Sequence, residues 1–232
     1  MKMLIPLTLL FGCVKGSQPH AMSEADHDAA AASHDAAAAD HAAQYDPDAS
    51  ASHTYCSNTR FNSACWTSVS NPTDAHLQAA ERERKAAAAH RAASAALAAA
   101  EEESCKGIDP DDRDISPFEH TEDIASVEPH SQSRAVSKGG QISTVDGATI
   151  TFLAVPGMTV EWLQRVVDCH LARNAALGHD VPEMQDCPLV PKGAKARVSS
   201  TGNGFAVTVV ADDPDAGAEI LARARRLVPA TP

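Results

Sequence analysis

Alanine sets the first limit on what this chain can fold into. It dominates residues 21–43 and again residues 86–100. Alanine is the strongest helix former, yet a methyl group is all it can bury, so these segments make helices and no large core. Hydrophobic residues reach 44% of the 232, but aromatic ones only 4%. Such a chain does not build a single enzyme-sized domain; one or two smaller units are expected. Nineteen Lys and Arg stand against 31 Asp and Glu, a net charge of −12, which argues against nucleic acid as a partner. Eleven histidines nearly offset that excess once protonated, so the net charge changes steeply between about pH 7 and 5.

Within the first alanine-rich stretch histidine recurs every seven residues, at His20, His27, His34 and His41. Seven residues are nearly two helical turns, so the four imidazoles share one face. Histidine-rich tracts suit transition metals. Along a helix, however, seven residues rise about 10.5 Å, whereas a Zn–N bond is only about 2.0–2.1 Å. Chelation within one helix wants i, i+4 spacing, and the positions four from His34 are Ala30 and Ala38. One helix cannot close a metal site; a second helix or a second molecule has to add donors. The other use of such a helix is as a solvated spacer, about 33 Å long, that lifts a folded domain off an anchor.

Tyr55 to Ser70 interrupts the alanine with Cys56, Cys65 and Trp66. Asn71-Pro72 then reads as a helix start, with Asn71 as N-cap and Pro72 as first helical residue, and the helix should run to about Ser104. Leu77 and Leu97 are almost its only large apolar residues. It therefore suits close packing on the other alanine-rich helix, in a hairpin. His76 and His90 are two heptads apart on one face and would meet the first helix's histidines there. That would complete donor sets that neither helix has alone; solvated histidines are the alternative.

The chain begins Met1-Lys2, followed by an apolar run from Met3 to Phe11. That run is shorter than the roughly 20 residues a bilayer requires and reads as a secretory signal peptide. It ends in Leu10-Phe11-Gly12-Cys13. Leu10, Gly12 and Cys13 resemble the lipobox of bacterial lipoproteins, with Phe11 where that family has a small residue. The resemblance implies a signal peptide cleaved after residue 12, diacylglycerol and palmitate on Cys13, and a membrane anchor in the cell envelope. Val14 stands where an aspartate would resemble an inner-membrane retention signal, which implies the outer membrane, facing the periplasm. An ordinary signal peptide cut slightly later is the alternative.

The remaining chain reads as an anchored His/Ala-rich segment (13–54), a cysteine-bearing junction and helix (55–105), an acidic Pro/Gly linker (106–147) and a compact domain (148–232). In the last, Ile150, Phe152 and Ala154 alternate with Thr149, Thr151 and Leu153 as a strand with one buried face. An amphipathic helix follows over Thr159 to Leu177. Two strands, Ala196–Ser200 and Phe205–Ala211, flank the Gly202-Asn203-Gly204 turn. Asp213-Pro214 opens a final helix. The fold class is α+β, a two-layer β-α-β-β-α sandwich behind alanine-rich helices.

Val155-Pro156-Gly157-Met158-Thr159, after a strand and opening a helix, resembles the start of a heavy-metal-associated domain. The resemblance implies the same element order with one further strand at the end. Val160 and Leu163 occupy the two cysteine positions of that family's Gly-Met-x-Cys-x-x-Cys motif, so no metal site is implied. The domain has soft ligands of its own, however: Cys169, His170, His179, Met184 and Cys187. Thiolate, thioether and imidazole suit Cu(I), and thiolate with imidazole suits Zn²⁺. In an oxidising compartment the two sulfurs would instead pair, Cys169 with Cys187, tying loop to helix for about 3 kcal/mol. Cys65 or Cys56 would then join Cys105, leaving an odd cysteine able to bridge two molecules.

No nucleophile elbow, phosphate loop or His-Glu-x-x-His is present. Cys169 and His170, adjacent on a helix, point about 100° apart and cannot act as a dyad. The expectation is a membrane-anchored, non-enzymatic binding module with Zn or Cu as candidate ligands. The alternative is a structural or protein-interacting lipoprotein with no metal role, docking through its alanine-rich helices or the odd cysteine.

Overall fold

The computed structural model describes residues 23–59, 62–136 and 140–228. The expected signal peptide, Cys13 and His20 lie outside them. Helix α1 (Glu24–Gln44) begins where Ser23 and Asp26 form a reciprocal capping box, each side chain accepting from the other's backbone N–H. The chain leaves α1 through Tyr45 and forms an antiparallel ribbon, β1 (Ala51–Asn58) with β2 (Ser63–Ser70), then returns along α2 (Asp74–Ser104). Along the helix contact most buried residues are small and heptad-spaced, Ala31 and Ala38 on α1 and Ala80, Ala87 and Ser94 on α2, with His27 and Leu97 the larger ones. Methyl-sized side chains let the two backbones approach closely, which is how helices with so little apolar surface can pair.

Two expectations are corrected in this half, and the cysteine-bearing junction gains a definite structure. α2 starts two residues later than Pro72. Asn71 instead closes the neck of the hairpin, accepting from Thr73 N–H at 2.7 Å and donating to the Asp46 carbonyl at 2.7 Å. The cysteine-bearing junction is the β1–β2 ribbon, its Thr, Tyr, Trp and Val content being that of a strand. Nor does α1 act as a spacer that carries the domain away. The chain runs out along α1 and back along α2, so the C-terminal domain sits beside the N-terminal end of α1, where Ser23 and Glu24 share a cleft with Asp114 and Arg173.

Residues 106–147 are folded rather than a linker. They contain α3 (Pro110–Asp114), capped by the Asp109 carboxylate on Asp111 N–H, then β3 (Ile124–Val136) and most of β4 (Gly140–Leu153). Three of its apolar residues, Ile108, Phe118 and Ile124, are buried, and Phe118 stacks on Phe152 at 5.9 Å between ring centres. Pro129 lies within β3 without harm because β3 is an edge strand of the sheet, whose order is β3-β4-β6-β5.

The α+β domain is as the sequence suggested from α4 onward. Helix α4 (Val160–Ala176) is capped by Thr159; β5 (Lys195–Thr201) and β6 (Gly204–Val210) form the hairpin; α5 (Pro214–Arg226) is capped by Asp213. Ile150, Phe152, Val207 and Val209 face Leu163, Val167, Ile220 and Leu221 in one core. Gly217 lets α5 lie directly on β4, since a Cβ there would stand 2.7 Å from the Asp146 carbonyl carbon. Among the described residues no strand follows α5, and the fourth strand of the sheet is β3, from before β4.

The two halves are clasped at the end of α2. Cys105 is disulfide-bonded to Cys169 of α4, and both are fully buried with Ile108 and Val166. Beside the bond, Arg173, 1% exposed, pairs with Glu101 of α2 and, at 2.6 Å, with Asp114 of α3. Arg113 also reaches Glu101, at 3.0 Å. Burial pushes the Asp114 carboxyl up, with Arg173 pulling the other way.

Candidate functional site

The α1–α2 hairpin brings its histidines face to face. His27 meets His90, their Nδ1 atoms 2.9 Å apart; His34 meets Glu83, Nδ1 to Oε2 2.6 Å; His41 meets His76, Nδ1 to Nδ1 3.4 Å. The antiparallel register explains the set. Residues 27, 34 and 41 on one helix and 90, 83 and 76 on the other step by the same heptad in opposite directions, so each α1 histidine finds the matching member of α2. Between these polar layers lie the alanine layers. Asp35 and Arg91 flank the ladder with an exposed pair at 2.7 Å.

The rings also touch along the hairpin axis. His90 lies 5.2 Å from His27 and 5.4 Å from His34 between ring centres, the latter pair nearly parallel at 18°. His27 is buried, whereas His34 keeps about a third of its side chain exposed. The upper end of the hairpin therefore holds a continuous run, His27–His90–His34–Glu83, with its inner end in the protein and its outer end at solvent. A cleft between the hairpin and the end of α4, lined by His27, His90, Leu177 and Asp180, opens beside it.

Glu83 was not singled out in the sequence, although it holds the same heptad place between His76 and His90. The signal was the spacing itself, read only for one residue type.

The soft-ligand cluster of the C-terminal domain does not assemble. The Cys169 sulfur is committed to Cys105. His170 is fully buried, its Nε2 3.4 Å from the Asp112 carbonyl, and burial with Arg173 alongside holds its pKa down at about 4. His179 takes a left-handed backbone, φ 65°, and places Nδ1 2.9 Å from the Val190 carbonyl. Met184 is a core residue at 1% exposure. Cys187 is a buried thiol that burial pushes up to about 11, so it stays protonated and is no thiolate ligand. Among the described residues no three His, Cys, Asp or Glu side chains already converge on one ion position.

Both expected disulfides are thereby corrected. Cys56 pairs with Cys65 across one rung of the β1–β2 ribbon, and Cys105 with Cys169. A 31-residue α2 spans about 46 Å, which keeps Cys56 and Cys65 at one end from ever meeting Cys105 at the other. The odd cysteine is Cys187, and its burial prevents it from bridging two molecules.

Comparison with protein families, characterised proteins and solved structures finds no match for this chain. Its chemistry is read from its own residues. No helix among the described residues is long and apolar enough to cross a membrane. The most exposed aromatic pair, Tyr55 and Trp66, stacks at 6.0 Å on the β1–β2 ribbon, at the far end of the hairpin from the domain.

Proposed function

We propose that this chain is a non-enzymatic binding module of the bacterial cell envelope, anchored to the membrane through lipid on Cys13, whose α1–α2 hairpin takes a transition metal, Zn²⁺ or Cu²⁺. The anchor reading stands on Leu10, Gly12 and Cys13, with the outer membrane facing the periplasm as its location. The metal reading is carried by one observation: His90 of α2 lies against both His27 and His34 of α1, where neither helix alone can chelate. Imidazole suits both metals. Alanine layers contribute little burial energy, so a cation bridging the helices would stabilise the hairpin considerably.

A structural or protein-interacting role without metal is the second reading. The observation favouring it is the β1–β2 ribbon, which exposes Tyr55, Trp66 and Val69 at 51%, 54% and 68%. Equilibrium dialysis of the chain from residue 14 against Zn²⁺ and Cu²⁺ separates the two. Retained metal supports the first reading, and none at all leaves the second.

A further inference from the structure

The histidine layers are not equivalent, and the difference follows from where their protons must sit. A neutral imidazole carries one N–H. In a neutral pair joined Nδ1 to Nδ1, one ring donates and keeps a lone pair on Nε2, while the accepting ring carries its proton on Nε2. Such a pair thus offers a metal one Nε2 lone pair. His41–His76 is a pair of this kind and, among the described residues, has no further imidazole in ring contact. It presents a single donor.

The other end presents two. His34 faces a carboxylate, which can only accept, so its proton lies on Nδ1 toward Glu83 and its lone pair lies on Nε2. In the His27–His90 pair the Nε2 of His27 is buried in the protein, so the ring able to reach a solvent ion is His90. With His90 donating from Nδ1 to His27, its Nε2 is open as well. The two open rings are the two that stack on each other, 5.4 Å between centres. Zn–N bonds of about 2.05 Å put ring centres about 3.2 Å from the ion, so rings at a tetrahedral angle stand about 5.2 Å apart. The ring-centre separation of His34 and His90 therefore matches that of two imidazoles on one ion.

We infer that His34 and His90, each through Nε2, form the metal seat of the hairpin, with Glu83 and His27 as positioning residues that hold the two Nδ1 protons. Water or a ligand from outside completes the coordination. Ligating histidines are characteristically held in this way through their other nitrogen, and loss of such a partner weakens metal binding about 10–100-fold. The inference rests on the metal reading above but is narrower than it.

Zn²⁺ titration of the chain from residue 14, with His34→Ala, His90→Ala, Glu83→Gln and His41→Ala variants checked for helix content, tests it. The seat predicts near-complete loss in the first two and about 10–100-fold weaker binding in Glu83→Gln. His41→Ala should leave affinity unchanged. Long-range ¹H–¹⁵N spectra of the Zn²⁺-loaded, unmutated chain give a second readout that folding defects cannot disturb: His34 and His90 coordinated at Nε2, with protons on Nδ1. Coordination through Nδ1, or His41→Ala costing as much as His34→Ala, would overturn this seat while leaving a metal-binding hairpin. No Zn²⁺ bound by the unmutated chain would overturn both.

Discussion

Cys105 and Cys169, 64 residues apart in sequence, are joined by a disulfide that fastens the end of α2 to the middle of α4. With Cys56–Cys65 it accounts for four of the five cysteines that follow Cys13. Non-reducing peptide mapping should recover these two links and Cys187 as a thiol. Because Cys187 is buried and its thiol is held at about 11, iodoacetamide should label it only after unfolding. A Cys169–Cys187 link, or rapid native labelling, would contradict the fold described here.

These pairings show where sequence reasoning stopped short. The helix ending at Ser104 was legible from its alanine, though not its first residue, and its length alone separates Cys65 from Cys105 by about 46 Å. The alanine-rich helices, the Asp213-Pro214 helix start and the alternating face of Ile150 and Phe152 were local signals, and all could be read. β3 could not be, since Pro129 interrupts its pattern and only the tertiary structure shows that it is an edge. The soft-ligand cluster looked compact in sequence, but α4 turns Cys169 toward α2 while Met184 and Cys187 enter the sheet core.

Arg173 should be the costliest single polar residue to lose. At 1% exposure it holds Glu101 and Asp114 together across three helices. Arg173→Met leaves two carboxylates near each other, with only Arg113 remaining on Glu101. A loss of roughly 3 kcal/mol is expected, as for other buried pairs broken on one side. Urea denaturation checks it, and a change below about 0.5 kcal/mol would place this clasp among surface pairs.

His170 should make stability fall with acid. Its folded pKa is about 4 against an ordinary 6.5, because burial and then Arg173 disfavour the charged form. Between those values the unfolded chain binds the extra proton. Stability is therefore full above about pH 6.5 and declines as pH drops toward 4, by roughly 3 kcal/mol for this group. Unfolding midpoints at pH 7 and pH 4.5 should differ less in His170→Leu than in the unmutated chain. Equal slopes would contradict the assignment.

Cys13→Ser should move the protein from the membrane fraction to the soluble periplasmic fraction and abolish palmitate labelling. Unchanged fractionation, with no lipid on the unmutated chain, would end the lipoprotein reading while leaving the hairpin chemistry intact.

The account turns on metal held between α1 and α2, so the decisive measurement compares one helix with two. Titration calorimetry with Zn²⁺ should show clear binding to the chain from residue 14 and little to a dilute peptide of residues 20–44, which carries His20, His27, His34 and His41 but neither Glu83 nor His90. Binding by the full chain should weaken with acid, since protonated imidazole cannot ligate. Equal affinity for peptide and chain would show that the hairpin register adds nothing, and would contradict the account at its centre.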